Sequence, residues 1–213
     1  SITSCTNTSN PQVMLAAALE IGRTQPNLRV FPLTTRRALI LAGHTTSLSV
    51  PTAMLRELGM ALAQEGFDVD LILDAQVLTQ TDLADVDVIL MPPALDFPGE
   101  NLGQWSEAEI ALLDSYVAEG GFLVVTNSAY NHVMKRQLDD RNEDARALNT
   151  LLSPMGVAFT FGVSQGEEIA QAIDEHRLTE NAAYLTYYGD NAVPFKMENG
   201  VELIRSVGRS LVG

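Results

Sequence analysis

The sequence predicts an α/β domain in three layers: an open, mostly parallel sheet with helices on both faces. Three observations carry this. Apolar runs of strand length recur at 37–43, 69–73, 86–91 and 122–125. Helical periodicity or turn chemistry fills the intervals between them. The clearest strand–helix–strand unit leaves no room for a hairpin, so its two strands are expected to be parallel.

That unit spans residues 86–130. The run Val86-Asp87-Val88-Ile89-Leu90-Met91 is stopped by Pro92-Pro93. Ser106-Glu107-Ala108-Glu109 has the Ser-x-x-Glu form of a capping box, in which Ser106 accepts from the Glu109 amide and Glu109 reaches back to Ser106. Ile110, Leu113 and Val117 follow at helical spacing, widened by Leu112 and Tyr116. Gly120-Gly121 ends the helix, since glycine takes the left-handed cap conformation at little cost. Phe122-Leu123-Val124-Val125 then reads as a buried strand ending at Thr126-Asn127-Ser128.

The other elements follow in order. Residues 1–22 read as a polar loop feeding a helix, capped by Ser9 or Asn10 and ended by Gly22. Residues 23–36 read as a linker, and the first thirty or so residues are expected to pack peripherally or extend away. Residues 37–44 form a strand running into Gly43-His44. Pro51 opens a helix with Met54, Leu55, Leu58 and Leu62 inward, ended by Gly66. Residues 69–74 are the next strand, and 79–84 a short turn or helix. Beyond 130, the polar stretch 132–144 caps a helix at 145–152; its acidic run 139–144 lacks the glycine and glutamate spacing of a calcium loop. A strand at 157–161, a short acidic helix at 167–175, and strands alternating with turns over 183–207 complete the chain. It starts at Ser1 without Met and stops at Val212-Gly213 without a stop signal, as a piece of a longer protein would.

Composition narrows the function. The 213 residues suit one large domain or a domain with an extension, and 46% hydrophobic content supplies a core. A formal net charge of −14 disfavours nucleic acid, whose binding needs a basic surface. It also disfavours anionic membranes, and no apolar run approaches the roughly 18 residues of a membrane span. The single cysteine, Cys5, excludes a disulfide framework and a cysteine-only metal site within one chain. The compartment stays open.

Two stretches resemble known families. Ser4-Cys5-Thr6-Asn7-Thr8-Ser9-Asn10-Pro11, with Val13-Met14-Leu15-Ala16-Ala17, resembles the aconitase-family segment that carries the first cysteine ligand of the iron–sulfur cluster. The resemblance covers under a tenth of the chain and implies that Cys5 ligates iron. The family's Cys-x-x-Cys pair has no counterpart here, so the alternative is an ordinary thiol on a borrowed or retained segment. No cofactor is expected, and a cluster only under the aconitase reading.

The larger resemblance spans residues 37–207. The strand after Gly120-Gly121 ends at Thr126-Asn127-Ser128-Ala129-Tyr130; Leu148-Asn149-Thr150-Leu151-Leu152 precedes Pro154-Met155-Gly156-Val157; His176-Arg177-Leu178-Thr179-Glu180-Asn181 comes late. In this order the motifs resemble a class I glutamine amidotransferase-like, flavodoxin-like domain; the second and third are similar to segments of non-catalytic branches such as the intraflagellar-transport-type domains. Arg177 and Asn181 stand where those branches have Pro and Gly. Residues 1–36 would then be an extension and linker, and 37–213 the domain. The resemblance implies a ligand-binding or assembly module, with other domains, proteins or a small molecule as partners.

Candidate chemistry collects at the strand ends. Parallel strands present their carboxyl ends to one side, where ligands bind in such folds. Those ends offer Gly43, His44, Asp74, Pro92, Asn127 and Ser128, with His132 nearby and the Trp105 loop expected to be exposed beside them. Catalytic members of the family place a Cys after the Gly-Gly strand and carry a late His-x-Glu pair. Here Ser128 stands near the first position, without the flanking glycines of a nucleophile elbow; His176 and Glu180 have the wrong spacing for the second. A Ser128 hydrolase or amidase would need His132 or His44 as its base. A zinc site from His44, His132 and Asp74 has no spacing to support it.

Overall fold

The computed structural model describes residues 2–4, 36–43, 52–73, 77–92, 105–126, 146–159, 169–172, 184–186, 195–201, 204–206 and 209–212. The strands are β1 (Ile2–Ser4), β2 (Arg36–Leu41), β3 (Phe67–Ile72), β4 (Val88–Met91), β5 (Phe122–Thr126), β6 (Val157–Phe159), β7 (Ile169–Ala172), β8 (Tyr184–Thr186), β9 (Phe195–Met197), β10 (Ile204–Ser206) and β11 (Arg209–Val212). The helices are α1 (Thr52–Gln64), α2 (Glu107–Ala118) and α3 (Arg146–Leu152), the last followed by a 3-10 turn, Ser153–Met155.

The central sheet runs in the order β3-β2-β4-β5-β1, all parallel. Its strands alternate cleanly between two cores. Leu39 and Leu41 of β2, Ile89 and Met91 of β4, and Leu123 and Val125 of β5 pack with Leu113 of α2 and with Leu148, Leu151 and Leu152 of α3. Ala38, Ile40, Val88, Leu90 and Val124 point the other way, onto Leu55, Leu58 and Leu62 of α1. Apolar on both faces, these strands read as continuous hydrophobic runs. Each fully buried aliphatic side chain contributes about 1.5–3 kcal/mol relative to exposure.

Strand order explains why α1 and α2 take opposite faces. From β2 the chain crosses through α1 to β3 on one side, then returns past β2 to β4 on the other. With right-handed crossovers, that reversal puts successive connections on opposite faces. The return runs through 77–87, whose Leu78, Leu83 and Val86 join the core of α2. It forms turns rather than a helix, closed by Asp82 accepting from the Thr79 amide (2.7 Å) and hydroxyl (2.6 Å). Its far end is clamped to β2: Arg37 N donates to Asp87 Oδ2 (2.8 Å), and Asp87 N to Arg37 O (2.9 Å). The Arg37 guanidinium donates to Ala84 O (2.6 Å) and pairs with Asp70.

The last third is antiparallel. β11 pairs with β1, β10 with β11 and β7, and β7 with β8; β9 joins β11 to β6. Asn149 fixes α3 to this part: its Nδ2 donates to Phe159 O (2.9 Å) and its Oδ1 accepts from Phe159 N (2.7 Å). The asparagine thereby imitates one rung of a strand pairing.

Three expectations are corrected. The acidic stretch 167–175 contains strand β7, not a short helix, because its backbone is taken up by β10 and β8 on either side. Trp105 is buried, at 9% exposure, packed in the core that holds Leu113 and Leu78. At least Ile2–Ser4 of the first thirty residues is not peripheral, since β1 lies between β5 and β11. The helix at 10–22, the linker up to residue 35 and the turn at 189–191 lie outside the described residues.

Candidate functional site

The parallel registers bring five strand ends to one edge. Leu41 pairs with Ile72, Ile40 with Leu90, Met91 with Val125, and Ser4 with Thr126. The chain leaves the sheet there through Ala42-Gly43, Leu73, Pro92, Thr126 and Ser4. Gly43 and Pro92 are buried, and Leu73 is exposed. The topological switch lies between β2 and β4, so Gly43 and Pro92 flank the crevice where open sheets of this order hold ligands.

Hydrogen bonds stiffen this edge. Ala42 N donates to Ile72 O (2.8 Å), extending the β2–β3 ladder by a residue. Buried Thr126 donates its hydroxyl to Met91 O (3.0 Å), tying the ends of β5 and β4. The amino terminus of α2 arrives at the same edge, because α2 follows β4. Ser106 N and Oγ donate to Glu109 Oε2 (2.9 and 2.7 Å), and Glu109 N donates to Ser106 Oγ (3.2 Å), completing the predicted capping box. The other oxygen, Oε1, accepts from Leu78 N at 3.2 Å. Glu109, only 3% exposed, thus joins the helix cap to the segment following β3.

Of the predicted catalytic, binding and metal residues, Gly43 lies in the described part of the chain, just beyond the carboxyl end of β2. His44, Asp74 and Asn127 directly follow the described stretches that end at Gly43, Leu73 and Thr126; they, Ser128, His132 and Cys5 lie outside the described residues. The structure therefore neither brings them together nor separates them. Sequence reasoning missed Thr126 and the second role of Glu109. The threonine carries a polar group at the end of an apolar run, which is a visible signal. The Leu78 contact crosses 31 positions and has no local signal. Among the described residues, no group of His, Cys, Asp and Glu could hold a metal ion, and no helix is long and apolar enough to cross a membrane.

This geometry matches known folds. The chain is similar to the mmIFT52 N-terminal domain, with TM-score 0.53 and 14% identity, over 79% of this chain and 72% of that one. It is similar to a glutamine amidotransferase from Thermotoga maritima, with TM-score 0.55 and 9% identity, over 84% and 70%. A ThuA-like protein from Bacteroides uniformis gives 0.50 and 16%, over 86% and 78%. The chain shares with them an α/β fold of the flavodoxin-like type. At these identities the likeness is one of fold alone. No family model and no curated protein matches the chain. The aconitase resemblance of residues 1–20 gains no support from these three structures.

Proposed function

We propose that this chain is a non-catalytic ligand-binding or assembly module built on the amidotransferase-like fold. One observation carries the reading. The sequence from the end of β5 reads Thr126-Asn127-Ser128-Ala129-Tyr130, where catalytic members of the resembled family hold a cysteine. A serine there needs a base within hydrogen-bond reach to become a nucleophile, and its sequence lacks the flanking glycines of a nucleophile elbow. Buried Gly43 and Pro92 at the switch point support a small-molecule crevice at the carboxyl edge. The division of the chain belongs to the same proposal. Residues 37–213 form the amidotransferase-like unit, and residues 1–36 precede it, with Ile2–Ser4 lending a strand to its sheet.

The competing reading is a Ser128-dependent hydrolase or amidase using His132 or His44, favoured by the place of Ser128 two residues beyond the strand end. A turnover screen of amides and esters with wild type and Ser128→Ala decides between them. No Ser128-dependent turnover is expected; hydrolysis lost in Ser128→Ala overturns the proposal. The aconitase alternative is tested separately by anaerobic iron–sulfur reconstitution. A colourless, iron-free protein is expected, because one thiolate leaves the remaining cluster irons without protein ligands.

A further inference from the structure

We draw no further inference here: the strongest candidate, the cluster at the carboxyl edge where β1 ends at Ser4 opposite Thr126, one residue before Cys5 and two before Ser128, carries nothing because it rests on a lone cysteine and a serine outside the described residues, with no observation at that edge pointing to a ligand.

Discussion

At the scale of single residues, Gly121 shows how a side chain five positions earlier can dictate a glycine. Tyr116 folds back from α2 so that its hydroxyl accepts from Phe122 N (3.1 Å) and donates to Phe122 O (3.4 Å). The ring then lies where a Cβ on residue 121 would stand. Gly120 is needed for its backbone, at φ +96°, and Gly121 for space. Gly121→Ala is expected to destabilise the fold by about 1–3 kcal/mol, the usual cost of overpacking. Denaturant unfolding measures this, and combination with Tyr116→Ala should relieve part of the cost, since residues in contact are not additive. Asp82 offers a second test. The Thr79 hydroxyl, then its amide, hold the Asp82 carboxyl below its ordinary value. A folded-state value below the unfolded ~3.9 contributes stability above that pH, and the contribution fades as pH falls through the folded value. Asp82→Asn should therefore be less stable than wild type at neutral pH, with the gap closing in acid. Unfolding midpoints compared at both pH values read it, and a gap independent of pH counts against the bond.

At the scale of elements, α2 is held by more than its apolar stripe. Ser106→Ala removes one side of the capping box and should cost about 1 kcal/mol. Glu109→Gln should cost more. Its single acceptor oxygen cannot serve both Leu78 and Ser106, and hydrogen bonds to charged groups contribute about 1.5–3 kcal/mol each. Trp105, the only tryptophan of the chain, is buried beside this cap, so its fluorescence should shift to the red in Glu109→Gln. An effect no larger than that of Ser106→Ala would mean that the Leu78 contact contributes nothing. β3 behaves as an edge strand among the described residues. Phe67, Val69 and Leu71 pack toward α1, while Asp68 and Asp70 face solvent. Outward charge of this kind discourages pairing with another sheet. Arg36 over the Phe67 ring, at 5.8 Å, and Arg37 on Asp70 bind this edge to its inner neighbour. The Asp70 hydrogen bond raises the Arg37 pKa above its usual value, so the guanidinium keeps its charge at this edge.

At the scale of the molecule, the parallel and antiparallel halves of the sheet meet through three residues. Ile2, Thr3 and Ser4 pair with Val124, Val125 and Thr126 on one side, and Ser4 with Val212 on the other. Removing residues 1–4 leaves β5 and β11 without the strand between them, exposing two strand edges. Such edges invite pairing with other chains. The truncated chain is expected to unfold at lower denaturant and to associate, as read by unfolding curves and light scattering. An unchanged midpoint would show that β1 contributes nothing to the sheet.

The sequence by itself determined the parts in which each residue's environment is local. The apolar runs of β2, β4 and β5, the helical stripes of α1 and α2, the Ser106–Glu109 box and the glycines ending α1 and α2 were all legible, because periodicity and capping are short-range. The crossovers followed from connection length, and with them the edge at which Gly43, Pro92 and Thr126 meet. Only the tertiary structure decided that 169–172 is a strand, since four residues with no strong preference take the state that their sheet neighbours impose. It alone put Trp105 inside, set Ile2–Ser4 between two halves of a sheet, and gave Glu109 a partner 31 positions away. These are long-range pairings, and nothing in the residues nearby encodes them.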